Sequence, residues 1–119
     1  MSEQYSIGRR GEEQACAYLQ ALGMQVVHTR YRKAGGEIDI IALDHGTVCF
    51  VEVKYRPDGR IGDGIGSVTP AKMRRIRSAA FSYLQTLPKR PKHRFDILEI
   101  TRAGILYTRS VGLPGQRSV

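Results

Sequence analysis

The clearest pattern in this chain is a pair of apolar runs joined by a short turn. The runs are Ile38–Leu43 and Val48–Val53, with Asp44-His45-Gly46 between them. Strand-forming residues on both sides of a glycine-containing turn predict a β-hairpin. We expect this hairpin to lie at the centre of the fold.

Two other stretches have the spacing of amphipathic helices. Ser6–Leu22 predicts a first helix, which Gly23 ends. Thr69 as N-cap and Pro70 at the first position predict a second helix that runs to about Leu87. The apolar stripe of this second helix comprises Met73, Ile76, Ala80, Leu84 and Leu87.

Strand patterns fill most of the remaining chain. Met24–Tyr31 predicts a strand before the hairpin, and Arg30–Gly36 a basic connection into it. Arg94–Thr101 predicts a strand after the second helix, and Ile105–Val111 an antiparallel partner for it. The order is helix, three strands, helix, then one or two strands.

Three segments read as irregular. Met1–Tyr5 is expected to be a frayed end, and Leu113–Val119 a loose tail. Pro57–Ser67 contains four glycines, which predict a mobile loop beside the hairpin. This loop does not match a Walker motif, so a nucleotide-type phosphate cradle is not expected.

Three charges interrupt the apolar hairpin: Asp39, Glu52 and Lys54. A buried carboxylate is costly unless it is paired or holds a metal. Glu52 and Lys54 share a strand face, and Asp39 on the neighbouring strand can approach Glu52. Two carboxylates about 4 Å apart repel by roughly 4 kcal/mol at an effective dielectric near 20, and a divalent cation would turn that repulsion into coordination. The alternative is a salt-bridged pair on a solvated face.

Further acidic residues are candidates for supporting roles. Glu12 lies on the apolar stripe of the first helix, whereas Glu13 points toward solvent, although both would also suit a helix start. Glu37 shares a strand face with Asp39, as an auxiliary ligand or as a strand-edge charge. Asp96 either pairs with an arginine or supports the site.

The net charge of +8 and pI near 9.9 suggest a polyanionic partner. A generic basic surface or affinity for anionic lipid is the alternative. Two clusters are candidates for holding a phosphate backbone, although each could be a solvated face. One precedes the hairpin and the other begins the second helix, and their members are Arg30, Arg32, Lys33, Lys72, Arg74 and Arg75.

Composition adds broad limits. A chain of 119 residues with 41% hydrophobic and 25% charged residues fits one ordinary globular domain. No apolar stretch approaches the roughly 20 residues of a membrane span, and no signal core begins the chain, so we expect a cytoplasmic protein without a membrane partner. We expect Cys16 and Cys49 to be small buried apolar residues and not a disulfide. The three histidines lack metal-ligand spacing.

Asp39 followed by Glu52-Val53-Lys54 resembles the D…(D/E)xK motif of the PD-(D/E)XK nuclease superfamily. Three further segments extend the likeness: Gly8–Glu12, Gly36–Asp39 and Arg94–Asp96. Together they resemble the YraN-like family, which is similar to archaeal Holliday-junction resolvases. The resemblance covers about Ile7 to Ile100.

The resemblance implies an α/β fold, a single-domain αβββαβ restriction-endonuclease-like core with a mixed central sheet flanked by helices. The domain would span residues 1–119, with its core at about 6–111. Mg²⁺ or Mn²⁺ would be held by Asp39, Glu52 and the Val53 carbonyl, with Glu12 directly or through water. Lys54 would complete the catalytic set. DNA cleavage would leave a 5′-phosphate and a 3′-hydroxyl, and the similarity to the resolvases suggests branched or junction DNA as the substrate.

Two other readings stay open. The chain is alternatively a non-catalytic nucleic-acid-binding module with a vestigial nuclease site, or an adaptor for a larger DNA-processing partner. Cutting a junction symmetrically requires a homodimer. Ile105, Leu106 and Tyr107 of the last strand either form such an interface or belong to the core.

Overall fold

A mixed sheet with a helix on each face forms the framework of the protein. The computed structural model describes residues 3–58 and 69–111, with side chains from residue 9 onward. Its elements in chain order are α1 (Glu3–Ala21), β1 (Gln25–Lys33), β2 (Gly36–Asp44), β3 (Thr47–Arg56), α2 (Pro70–Gln85), β4 (His93–Thr101) and β5 (Gly104–Thr108).

The strands lie in the order β1-β2-β3-β4-β5. Neighbours are antiparallel except for β3 and β4, which are parallel and are connected through α2. A parallel pair needs a crossover connection, and a helix is the usual one. The predicted α/β class, the mixed sheet and the element order are confirmed, with β5 as an additional edge strand.

The two helices pack on opposite faces of the sheet. Ala15 and Leu19 of α1 pack in one cluster with residues of β2, β3 and β4, including the buried Cys49. Met73 and Ile76 of α2 pack in the other cluster. The second cluster consists of Ile38, Ile41, Val48, Phe50, Met73, Ile76, Ala79, Ala80, Tyr83, Leu84 and Phe95.

Glycines end α1 and close the hairpin where the sequence predicts it. Gly23 has φ 88°, its N–H donates to the Gln20 carbonyl, and the Met24 N–H donates to the Leu19 carbonyl. This arrangement is a Schellman cap, which requires a left-handed residue at that position. His45 and Gly46 have φ 49° and 84°, as a two-residue type I′ hairpin turn requires.

Several boundaries differ from the prediction; β5, for example, ends at Thr108 and not at Val111. Two of the differences have a clear physical reason. β1 extends to Lys33, so the connection predicted at Arg30–Gly36 shrinks to Ala34-Gly35. Both turn residues have positive φ, and the resulting I′-type twist allows strand pairing to continue through Lys33. α2 ends at Gln85 instead of Leu87, because Pro88 disfavours helical backbone geometry at Leu87, the residue before it.

Some predicted features lie beyond the described residues. These are most of the glycine-rich loop and the C-terminal tail. Helix α1 begins at Glu3, inside the segment expected to be frayed. Among the helices described, none is both long and apolar enough to cross a membrane.

Gly36 at the start of β2 sets how closely α2 approaches the sheet. A Cβ added to Gly36 would lie 1.9 Å from the Arg75 carbonyl oxygen and 3.2 Å from the Ala79 Cβ. Backbone cannot yield to such a contact as a flexible side chain would. Glycine at this position therefore allows the first turns of α2 to pack against β2.

We expect Gly36→Ala to lower the free energy of unfolding by about 3 kcal/mol, the upper part of the overpacking range. The matched control is Gly35→Ala, where no atom lies within 4 Å and only the positive φ is strained. That control should lose about 1 kcal/mol. Urea denaturation measures both, and equal losses would contradict the close-approach explanation.

Candidate active site

The hairpin brings Asp39 and Glu52 together on neighbouring strands. The pairing of β2 with β3 runs from Asp44 opposite Thr47 to Ile40 opposite Val51. Just beyond that ladder, the Asp39 Oδ2 accepts a hydrogen bond of 2.7 Å from the Val53 N–H. The Asp39 side chain thus takes a backbone donor of β3 and is held beside Glu52.

The environment of the Asp39 carboxyl disfavours its ionised form. Burial raises its pKa to about 7, and the neighbouring Glu52 carboxylate contributes to the rise. The Val53 N–H and Lys72 act in the opposite direction but do not compensate. The ionised form of Asp39 therefore lacks sufficient positive charge around it, and an added cation would stabilise it.

Glu52 is buried on β3 and contacts two ammonium groups. The Lys72 Nζ lies 2.6 Å from the Glu52 Oε1, and the Lys54 Nζ lies 3.9 Å from the same oxygen. Lys54 comes from the same strand, whereas Lys72 comes from the first turn of α2. The carboxylate is thereby neutralised from two different elements.

Lys54 is the less readily protonated of the two lysines. Burial, together with the adjacent Lys72, lowers its pKa to about 8. Desolvation also lowers the pKa of Lys72, but its hydrogen bond to Glu52 helps reverse this, so the net shift is upward. Near neutral pH, Lys72 stays protonated, whereas Lys54 can release and take up a proton.

Glu12 is engaged with Arg30, although its charge also contributes to the raised pKa of Asp39. Its two carboxylate oxygens accept hydrogen bonds of 3.0 and 2.8 Å from the Arg30 Nε. Arg30 has φ 52°, the left-handed region that costs energy for a residue with a Cβ. Two residues predicted for separate roles, one metal ligand and one phosphate contact, therefore form a salt bridge with each other.

The donor set fits a hard divalent cation in part. Asp39 and Glu52 supply buried carboxylate oxygens, the ligand type that Mg²⁺ and Mn²⁺ prefer. Residues 3–58 and 69–111 contain no group of three or more His, Cys, Asp or Glu placed to hold a metal. A cation would thus rest on two side chains, with water completing its shell as Mg²⁺ commonly requires. The roles of Glu12 and the Val53 carbonyl as ligands stay predictions.

Basic residues of β1 and α2 line a cleft next to the acids. The cleft has a volume of about 710 Å³, and Glu37 is its acidic lining residue. Glu37 lies 3.5 Å from Arg32, in an exposed pair. The cationic lining residues are Arg32, Lys33, Lys72 and Arg75.

The structure thus brings four of the six predicted phosphate contacts to one cleft. Arg74 is exposed on α2 outside the lining, and Arg30 is engaged with Glu12. Lys72 belongs both to the cleft and to the acidic pair, because its ammonium contacts Glu52. That second position of Lys72 was not apparent from sequence, where it appeared only as one of several cations.

Sequence reasoning also passed over Glu99. This residue is 1% exposed on β4 and lies in register with Lys54 on the parallel neighbouring strand. A carboxylate within an apolar strand was the signal that singled out Glu52, and the same signal marks Glu99. Asp96 has a structural environment: Arg94, Tyr107 and the Ser110 N–H donate to it.

We predict that Asp39→Asn changes how stability depends on pH. Between about pH 4 and pH 7 the native Asp39 keeps a proton that the unfolded chain loses, so this carboxyl lowers stability as pH rises. Asparagine retains the acceptor for the Val53 N–H but cannot ionise. The free energy of unfolding of the variant minus that of wild type should rise by about 1–3 kcal/mol across this window.

Urea denaturation in EDTA at several pH values measures this difference. The control is Glu13→Gln, which removes a carboxylate from an exposed position on α1. It should give a difference that stays flat with pH. A flat profile for Asp39→Asn as well would mean that Asp39 is an ordinary carboxyl.

Comparison with known proteins places this site within one family. A family model described as "Uncharacterised protein family UPF0102" matches residues 11–100. A UPF0102 protein of Nitrosococcus oceani is 44% identical over 96 residues, covering 79% of this chain and 77% of that protein. One of Chlorobium limicola is 46% identical over 97 residues, covering 81% and 75% respectively. The matched region includes Glu12, Asp39, Glu52 and Lys54.

Proposed function

We propose that this chain, which belongs to the uncharacterised protein family UPF0102, is a metal-dependent endonuclease of the PD-(D/E)XK type acting on DNA. The observation that carries the proposal is the pair of acids on adjacent strands, with Lys54 two residues after Glu52. A reducing, cytoplasmic location is part of this proposal, and the free thiols of Cys16 and Cys49 support it.

The acidic pair is the proposed binding site for Mg²⁺ or Mn²⁺. Asp39 and Glu52 would hold the ion, which when bound supplies Lewis-acid stabilisation of the phosphate and a more acidic water. Repulsion from Glu52 and burial raise the pKa of Asp39, so the ionised pair gains most from a dication. For Glu52 to bind the ion fully, Lys72 must give up its contact of 2.6 Å.

The two lysines have separate proposed roles. Lys54, with its pKa lowered to about 8, can orient the attacking water and accept its proton. Water forms a bond to phosphorus, the bond from phosphorus to the 3′ oxygen breaks, and that oxygen takes a proton from solvent and leaves as the 3′ hydroxyl. Lys72 remains charged and is placed to counter the negative charge that develops on the phosphate.

The cleft supplies the binding surface for the DNA backbone. Four cations line it, and Lys72 connects it to Glu52. A phosphate in the cleft offers Lys72 a second anionic partner, which would free Glu52 for the metal. Substrate binding and metal binding would then favour each other, because both draw Lys72 in the same direction.

One observation favours the alternative of a non-catalytic binding module. Lys72 already neutralises Glu52 by direct contact, so the charge of this carboxylate is compensated without any metal. In that case the basic cleft would bind nucleic acid and the acids would be structural. The two functions differ in a simple respect, since only the nuclease requires a divalent ion.

Cleavage of labelled duplex, flap, single-stranded and four-way junction DNA tests the proposal. We expect cutting with Mg²⁺ or Mn²⁺ and none in EDTA. Asp39→Asn and Lys54→Met should each lower the rate by at least about a hundredfold. Glu13→Gln is the control and should cut normally. Wild-type rates from Asp39→Asn would rule out the proposed metal site.

The cleft makes its own prediction about salt dependence. Lys33→Gln combined with Arg75→Gln removes two phosphate contacts, so the slope of log affinity against log salt should fall by about 2. The control pair is Arg9→Gln with Arg10→Gln, both exposed on α1. Fluorescence anisotropy of labelled DNA in EDTA measures these slopes. An equal change in both pairs would indicate a diffuse basic surface instead of a cleft.

A further inference from the structure

The positive charge of the chain is concentrated in one segment. Residues 70–95 contain eight Lys and Arg and no Asp or Glu, whereas the rest of the chain contains eleven basic and eleven acidic residues. The net charge of +8 is therefore carried by α2, the connection that follows it and the first residues of β4. A segment without a single acid is suited to a polyanion along its whole length.

An exposed aromatic ring lies in the middle of this segment. Phe81 is 52% exposed, and among the described residues Leu22 is the other large apolar side chain classed as exposed. The Arg90 guanidinium carbon lies 5.6 Å from the centre of the Phe81 ring. A ring half open to solvent and accompanied by cations is the arrangement that stacks on nucleic-acid bases.

Helical spacing places Phe81 in line with two arginines of α2. Arg74 and Arg77 precede it by seven and four residues, so the three lie along one side of the helix. We call Arg74, Arg77, Phe81 and Arg90 the outer stripe. Arg74 is exposed, and Arg77 is half-buried.

The outer stripe begins in the same first turns of α2 as Lys72 but on another side of the helix. Lys72, which contacts Glu52, lies two residues before Arg74 and about 200° away around the helix axis. From Arg74 to Phe81 the helix rises by roughly 10 Å, which is about the length of three stacked nucleotides. An unpaired segment of about three nucleotides therefore spans the distance from Arg74 to a base stacked on Phe81.

We propose that the outer stripe binds an unpaired segment of DNA, with one base stacked on Phe81. The choice of DNA rests on the proposed nuclease function and narrows its substrate to DNA with a single-stranded part. Bases in a duplex are already stacked on one another and cannot cover the ring. A protein partner is disfavoured because a single ring among cations is far smaller than a stable apolar interface.

Phe81→Trp provides a direct probe, because the chain contains no tryptophan. Base stacking quenches indole fluorescence, so single-stranded DNA should quench this variant and the quenching should saturate. Leu22→Trp is the matched control, an exposed apolar position on the α1 side of the fold. All titrations are made in EDTA, so that no cleavage is needed for a result.

Affinity gives a second measure that does not depend on the new tryptophan. Phe81→Ala should weaken binding of labelled single-stranded DNA at least about fivefold and change duplex binding by less than about twofold. Thermal melting confirms that the variant is folded. Phe81→Tyr retains a ring and should bind as wild type does.

Three results would overturn the proposal: no quenching of Phe81→Trp by DNA that anisotropy shows to be bound, equal quenching in Leu22→Trp, or tighter binding of single-stranded RNA than of DNA. These results are independent of the nuclease test. Stacking without cleavage would contradict only the proposed activity, and cleavage without stacking would contradict only the outer stripe.

Discussion

The repulsion between Asp39 and Glu52 is the constraint on which the rest of the site depends. The hairpin holds both carboxylates at the point where the pairing of β2 with β3 ends, and burial strengthens their interaction. Lys54 and Lys72 offset the charge of Glu52, but the pKa of Asp39 is still raised to about 7. A fold that needed only stability would gain from apolar residues here. This uncompensated charge is the reason for proposing a functional site at the two acids.

Lys72 can offset the charge of Glu52 because α2, which carries Lys72, lies very close to β2. Gly36 allows this approach, since any Cβ there would collide with the Arg75 carbonyl oxygen. The same approach places Lys72 on Glu52 and Arg75 in the basic cleft. One glycine thus links the packing of the helix to the chemistry of the site. Lys72 belongs to both the cleft and the acidic pair. A phosphate bound in the cleft would therefore interact with the same ammonium group that contacts Glu52.

Local sequence patterns predicted the hairpin, both helices and the order of the elements, because each depends on nearby residues: the apolar runs of β2 and β3, Thr69-Pro70 at α2, and Gly23 after α1. The mixed central sheet was implied by the family resemblance. Asp39, Glu52 and Lys54 could be identified because charges within apolar strands are costly. The contact of Lys72 with Glu52 joins residues twenty positions apart and depends on how α2 crosses the sheet. The salt bridge of Glu12 with Arg30 depends on a left-handed residue in β1. Neither contact produces a local sequence pattern from which it could be predicted.

Calorimetric titration of Mn²⁺ tests the central claim most directly, with wild type beside Glu52→Gln and the exposed control Glu13→Gln. Our account predicts that one ion binds per wild-type chain and per control chain, and that Glu52→Gln loses this binding. Binding should also be weaker below about pH 6, where protons compete for Asp39. No Mn²⁺ binding by the wild type, or equal binding by all three proteins, would contradict a metal site at the acidic pair.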